Sequence, residues 1–234
     1  MKIEEIIKAF KSFNSKYDLW TVFQDFLSIA SISISQPTLK IMEEDALWAK
    51  REKEFLAITK KYSKDEVKLF TKILAELFMC LTNKSEDVLG QVFTRLNLNN
   101  KWKGQFFTPQ HISDAMAKMI MLDCDKEIKS KGYLTVCDPC CGGGSLIIGA
   151  YNALIEKGYK VEEIMYAECQ DIDIRACQMT YIQLSLLGIP ACVKLGNSLT
   201  GEVIEAYFTP MFFINKWYSK LDNKTEQELK VKEG

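Results

Sequence analysis

The residues best suited to chemistry lie in the middle of the chain. Residues 133–138, Tyr-Leu-Thr-Val-Cys-Asp, form a strand-like run that ends in the carboxylate of Asp138. Pro139-Cys140-Cys141-Gly142-Gly143-Gly144-Ser145 follows, and then an apolar stretch with helical spacing. A glycine-rich turn between a strand and a helix lets backbone approach a ligand closely. By itself such a turn is common to nucleotide, flavin and nicotinamide sites. Asp138 adds discrimination, because a carboxylate at the carboxyl end of the strand attracts an ammonium and repels a pyrophosphate. An aminoacyl-type ligand is therefore favoured over a dinucleotide. The plainer reading of Asp138-Pro139 is a turn start, for which Asp is well suited.

Two further polar turns belong at the same sheet edge. The strand-like residues 164–170 run into Asp171-Ile172-Asp173, whose acids suit the paired hydroxyls of a ribose. Asp171 is the candidate, since Asp173 falls in the first turn of the next helix and complements its dipole. Asp171 is also a good helix cap. After a third strand at 191–195, Gly196-Asn197-Ser198-Leu199 offers an amide at Asn197 that could read an adenine ring, or simply close a turn.

Composition narrows the classes. The 234 residues are 47% hydrophobic, enough for a sizeable core, and carry 30 Lys+Arg against 31 Asp+Glu for a net charge of −1. No global charge draws this chain to nucleic acid, so phosphate contacts need local patches or a partner. Eight cysteines without a signal-like or membrane-length apolar span point to a reducing cytoplasm and no membrane. Cys137 and Cys140 make one C-x-x-C, but no second pair follows and His111 is the sole histidine, so no metal site is expected.

The elements that must position these residues follow from periodicity. The first hundred residues read as helices, with Leu19, Trp20, Phe23, Phe26 and Leu27, then Val67, Phe70, Leu74, Leu77 and Phe78, at helical spacing. Ser63 and Glu66 form a capping box that predicts a helix over 64–81, and Ser85-Glu86-Asp87 starts another. Gln36-Pro37 is expected to be a loop. Beyond residue 133, strands alternate with helices at 145–157 and 172–187, the pattern of βαβ units and a parallel sheet. Three segments are expected: a helical domain at 1–103, a ligand-binding α/β domain at 104–218 and a charged tail at 219–234.

Gly104-Gln105-Phe106-Phe107-Thr108-Pro109 precedes the first strand by a helix. Together with D-V-L-G-Q-V-F upstream and D-P-C-C-G-G-G-S-L downstream, it resembles the N6-adenine DNA methyltransferases, above all the modification subunits of type I restriction systems. The likeness spans roughly 86–200. It implies a Rossmann-like sheet with an N-terminal helical domain, and S-adenosylmethionine as cofactor. By resemblance, Phe107, Thr108 and Pro109 line the methionine end. Asp138, Pro139, Cys140, Gly142 and Gly144 hold the amino acid and backbone, Asp171 the ribose, and Asn197 the adenine. An aromatic ring near a sulfonium gains about 0.5–2 kcal/mol. A nicotinamide oxidoreductase, by contrast, gives Asp138 and G-Q-F-F-T-P no role.

The family's catalytic tetrapeptide, Asn or Asp then Pro-Pro-aromatic, holds the amino group of a flipped adenine through two oxygen acceptors and a stacked ring. No intact copy occurs. Two degraded versions do: Thr209-Pro210-Met211-Phe212, and Asn215-Lys216-Trp217-Tyr218 after the strand-like run Met-Phe-Phe-Ile. The expected function is methyl transfer to adenine N6 in DNA with a specificity subunit or a second copy as partner. The alternative is a catalytically inactive, cofactor-binding remnant.

Overall fold

A computed structural model describes residues 3–98 and 107–221. Five helices come first: α1 (Ile3–Lys11), α2 (Leu19–Ile41), α3 (Asp45–Thr59), α4 (Lys64–Asn83) and α5 (Val88–Arg95). Then follow α6 (Gln110–Ile120), α7 (Cys124–Lys131), β1 (Leu134–Asp138), α8 (Ser145–Glu156), α9 (Val161–Ile164), β2 (Met165–Asp171), α10 (Ile174–Leu186), β3 (Ala191–Leu195), β4 (Glu205–Phe208) and α11 (Pro210–Ile214). Residues 217–221 form a further helical turn.

The four strands lie in the order β1-β2-β3-β4. The first three are parallel, and β4 returns antiparallel with Leu195 opposite Glu205 and Cys192 opposite Phe208. This is an incomplete, mainly parallel Rossmann-like sheet behind a helical N-terminal region. Side chains alternate between its faces, as a pleated strand requires. Met165, Ala167, Cys169, Ala191 and Val193 pack under Ile147, Ile148 and Leu154 of α8 and Cys177, Tyr181 and Leu184 of α10. Tyr166 and Cys192 face the other way, joining Tyr133, Phe212 and Trp217.

The N-terminal helices share an aromatic core of Phe10, Phe23, Phe26, Phe70 and Phe93. That core runs on into Ala176, Met179 and Ile182 of α10, so one helix serves both the sheet and the helical layer. Farther along, the buried Arg51 of α3 pairs with Glu205 of β4 at 2.5 Å and lies over the ring of Tyr207.

Most predicted elements occur close to their expected bounds, and the Ser63/Glu66 capping box is present. Two expectations are corrected. Gln36-Pro37 is not a loop, because α2 runs through it. Pro37 is exposed, and the carbonyl it leaves without a helical donor belongs to Ser33, which is exposed as well. On either side the chain is anchored by buried Ser35, Thr38 and Leu39. The Met-Phe-Phe-Ile run is helical, with Pro210 at the first turn of α11, where its missing N–H costs nothing. The expected tail divides in the same way: residues 219–221 are helical, and 222–234 lie outside the described residues.

Trp217 is fully buried against Tyr133 and Tyr166, and its indole N–H donates to the carbonyl of Glu162 at 3.1 Å. Trp217→Ala should therefore cost about 3–5 kcal/mol, read as a lower urea midpoint with an unchanged slope. A loss below about 1 kcal/mol would mean that the C-terminal segment does not belong to this core.

Candidate functional site

In a parallel sheet, ligands gather at the carboxyl ends of the strands. At that end β1 delivers Asp138, β2 delivers Asp171, and β3 runs into Gly196 and Asn197. Two backbone bonds tie these endings together: Cys141 N donates to Gln170 O at 2.9 Å, and Gly196 N donates to Asp171 O at 2.9 Å.

The turn from β1 to α8 needs glycine. Gly142 and Gly144 have φ of +54° and +88°, the left-handed region that side chains disfavour. Gly144 occupies the N-cap position of α8. A Cβ built on Gly142 would lie 3.7 Å from Cδ1 of Phe107, so that ring rests beside the turn. Phe107 also meets Phe93 edge-on at 5.3 Å, which anchors it to the N-terminal core. Thr108 is half-buried and Pro109, the N-cap of α6, is exposed. Gly104, Gln105 and Phe106 lie outside the described residues.

Asp138 is buried. Its Oδ1 accepts from Cys140 N at 3.1 Å, while its Oδ2 is buried with no hydrogen-bond partner. Burial pushes its carboxyl above the usual range, the Cys140 amide opposes that, and nearby Asp171 adds to it. Asp171 braces the turn itself: Oδ2 accepts from Gly142 N at 3.0 Å and Oδ1 from Asp173 N at 2.9 Å. Among the described residues neither carboxylate has an ion-pair partner. Two neighbouring, desolvated acids without a protein cation make a site that a cationic ligand would stabilise. Asp173 instead caps α10 and pairs with Arg175, the structural role expected for it. Asn197 Oδ1 accepts from Leu199 N at 3.0 Å, a side-chain-closed turn that leaves its amide nitrogen for other partners.

Pro139 and Cys140 are exposed on the turn, and all eight cysteines are free. Among the described residues no group of three His, Cys, Asp or Glu side chains is placed to hold a metal ion, and no helix is long and apolar enough to cross a membrane.

Neither degraded tetrapeptide reaches this crevice. Because β4 runs antiparallel, its end returns to the amino end of β3, the opposite edge of the sheet. There the buried hydroxyl of Thr209 donates to Ile189 O at 2.8 Å and accepts from Ala191 N at 2.9 Å. Pro210 starts α11, and Phe212 is buried against Tyr166 and Phe208. Asn215 donates to Glu162 O at 2.7 Å, just before β2, and Tyr218 is exposed nearby. In this structure these residues close the fold at the edge away from Asp138.

The site also uses residues that sequence reasoning did not single out. Thr180 Oγ1 donates to Gly142 O at 2.9 Å, and Gln183 Nε2 donates to Gly143 O at 2.8 Å. The sequence does contain a signal for them, since Gln178, Thr180 and Gln183 are polar residues among the apolar positions of α10, and all three are buried. Asp87, expected only as a helix start, is buried beside Gly143.

A mainly parallel sheet with an acid, a glycine turn and an upstream aromatic ring at its carboxyl edge is consistent with a methyltransferase-like α/β fold. The family model for N-6 DNA methylase matches residues 84–229, more than half of the chain. The protein belongs to the N-6 DNA methylase family. Comparison with curated proteins and with solved structures gave no match.

The burial of Asp138 has a testable consequence. Its raised pKa means that native stability falls as pH rises through that value, relative to a neutral side chain. Asp138→Asn should therefore melt higher than the parent at about pH 7, with the gap closing toward about pH 4. A variant that melts lower at both pH values would show that the charge is already compensated.

Proposed function

We propose that the crevice binds S-adenosylmethionine and that the protein is the cofactor-binding component of an adenine-N6 DNA methyltransferase whose base clamp and DNA recognition come from a partner. The observation that carries this reading is the buried, unpartnered Oδ2 of Asp138 beside a glycine turn flanked by Phe107. An ammonium would give that oxygen the charged hydrogen bond it lacks. Phe107 would face the sulfonium, Asp171 the ribose and Asn197 the adenine, with Thr108, Pro109, Pro139, Cys140, Gly142 and Gly144 shaping the walls. Bound there, the cofactor supplies an electrophilic methyl group. The chain's own part is to hold and orient it, and to exclude water from the acidic floor.

The partner proposal rests on β1. Among the described residues it pairs with β2 alone, and a cavity of about 510 Å³ lies beside it. Met116, Ile120, Met121, Val136 and Leu146 line that cavity, which reaches Asp138 and Pro139. Ile120 of that lining and its chain neighbours Met119 and Leu122 are each more than 70% exposed, a grouping suited to burial against another chain. A specificity subunit or a second copy would serve. A second reading, a cofactor-binding remnant without turnover, is favoured by one observation: Thr209 and Asn215 sit at the wrong edge of the sheet.

Calorimetric titration with S-adenosylmethionine tests the site. Asp138→Ala should weaken binding by about 1–3 kcal/mol, and undiminished affinity would refute the assigned role. Labelled methyl transfer to duplex DNA then separates the two readings. Incorporation that appears only with a partner fraction, and survives Asn215→Ala, supports the component reading. A chain that binds the cofactor yet transfers nothing under any partner condition supports the remnant.

A further inference from the structure

The glycine turn is held from outside its own βαβ unit. Asp87, at the N-cap of α5, accepts from Gly90 N at 2.8 Å and from Gln183 Nε2 at 2.9 Å through the same Oδ1. Gln183 is fully buried. Its Oε1 accepts from Leu89 N at 3.0 Å, and its Nε2 also donates to the carbonyl of Gly143. The backbone N–H of Asp87 donates to Gln110 Oε1 at 2.9 Å, and Gln110 Nε2 donates to Ser145 O at 3.2 Å, in the first turn of α8. A ring is thus closed from α5 through α10, the glycine turn, α8 and α6 back to α5.

Contact distances show how closely the parts fit. A Cβ on Gly143 would lie 2.6 Å from Asp87 Oδ2, and one on Gly90 would lie 2.1 Å from the same atom. The carboxylate fills the space between two glycines and touches both backbones. A simple helix cap needs only the bond to Gly90. It explains neither the contact with Gly143 nor the amide of Gln183 that bridges the two.

We infer that Asp87 and Gln183 are positioning residues for the methyl-donor turn, which makes the N-terminal helical layer a working part of the cofactor site. This rests on the proposed cofactor reading. Gln183 fixes the Gly143 carbonyl, Asp87 fixes Gln183, and together they set where the amides of Gly142 to Ser145 point. A ligand then meets a turn already in its binding shape, and less ordering opposes binding.

The test uses the full chain and four variants: Asp87→Ala, Asp87→Asn, Gln183→Leu, and Phe70→Leu as a control in the N-terminal core. Two quantities are read in each, hydrogen exchange of the 139–146 segment without ligand and affinity for S-adenosylmethionine. Asp87→Ala and Gln183→Leu should speed exchange of the turn and weaken affinity, each by about tenfold or more. Asp87→Asn keeps an acceptor oxygen and should stay within roughly threefold of the parent. Phe70→Leu lowers the melting temperature but should leave the turn's exchange and the affinity unchanged. Gln183→Leu leaves the α5 cap in place, so it carries the test if Asp87→Ala does not fold. Unchanged exchange at the turn in Gln183→Leu, or an equal rise in Phe70→Leu, overturns the inference. If exchange behaves as expected while no chain binds the cofactor, the positioning role stands and the methyl-donor reading falls.

Discussion

The structure depends on one buried contact: an acid from the N-terminal helices pressed between two glycines, with Gln183 holding it there. Gln183 is completely removed from water, so each of its polar atoms must find a partner inside, and an unmet one would cost about 1–3 kcal/mol. Its partners lie on α5, on the glycine turn and on Asp87. None of those partners can shift without stranding another. Burial pushes the Asp87 carboxyl above its usual range against the two hydrogen bonds it accepts. Such a group is tolerated only where the surrounding backbone leaves it a fixed place. The same network explains why α10 belongs to two cores at once: Thr180 and Gln183 must reach the turn while Met179 and Ile182 face the aromatic helices.

From that contact the electrostatics of the crevice follow. Once the turn is fixed, Asp171 is committed to the Gly142 amide and Asp138 is left with one satisfied oxygen and one bare oxygen. Two acids at adjacent strand ends repel, and neither has a Lys or Arg partner among the described residues. By contrast, Glu168 of β2, three residues before Asp171, is paired with Lys194 of β3. The fold thus neutralises an acid in the middle of the sheet and leaves the acids at its ligand edge uncompensated. That difference marks the edge as a candidate site rather than an ordinary surface of mixed charge.

The sequence was legible where local chemistry and final structure agree. The Ser63/Glu66 capping box, the glycine turn after Asp138 and the alternation of strands and helices are all set by near neighbours, and each occurs where expected. Pro37 misled because the helix-breaking tendency of proline is a local cost of about 3 kcal/mol. Here a tertiary gain overrides it, the burial of Thr38 and Leu39 directly after the proline. Asp87 and Gln183 stand 96 positions apart, and no periodicity links an N-cap to a polar residue in a distant helix. The hidden clue was the polar content of α10, a buried helix that carries Gln178, Thr180 and Gln183.

Strand direction decided the fate of the two degraded tetrapeptides. Had residues 205–208 run parallel to β3, their end would lie at the edge that holds Asp138, and Thr209 would face the crevice. The chain instead makes a short return after Gly196, where a Cβ would come within 2.0 Å of the Glu202 carbonyl, and β4 pairs antiparallel. A return that tight leaves no room for a crossover helix, which parallel strands require. Thr209 therefore satisfies the backbone ends of Ile189 and Ala191, while Asn215 and Trp217 satisfy that of Glu162. These polar groups hold the strand starts, and the aromatic cluster of Tyr133, Tyr166, Phe212 and Trp217 seals the adjacent sheet face. On the side of the glycine turn, β1 pairs among the described residues with β2 alone and borders a largely apolar cavity that reaches Asp138 and Pro139.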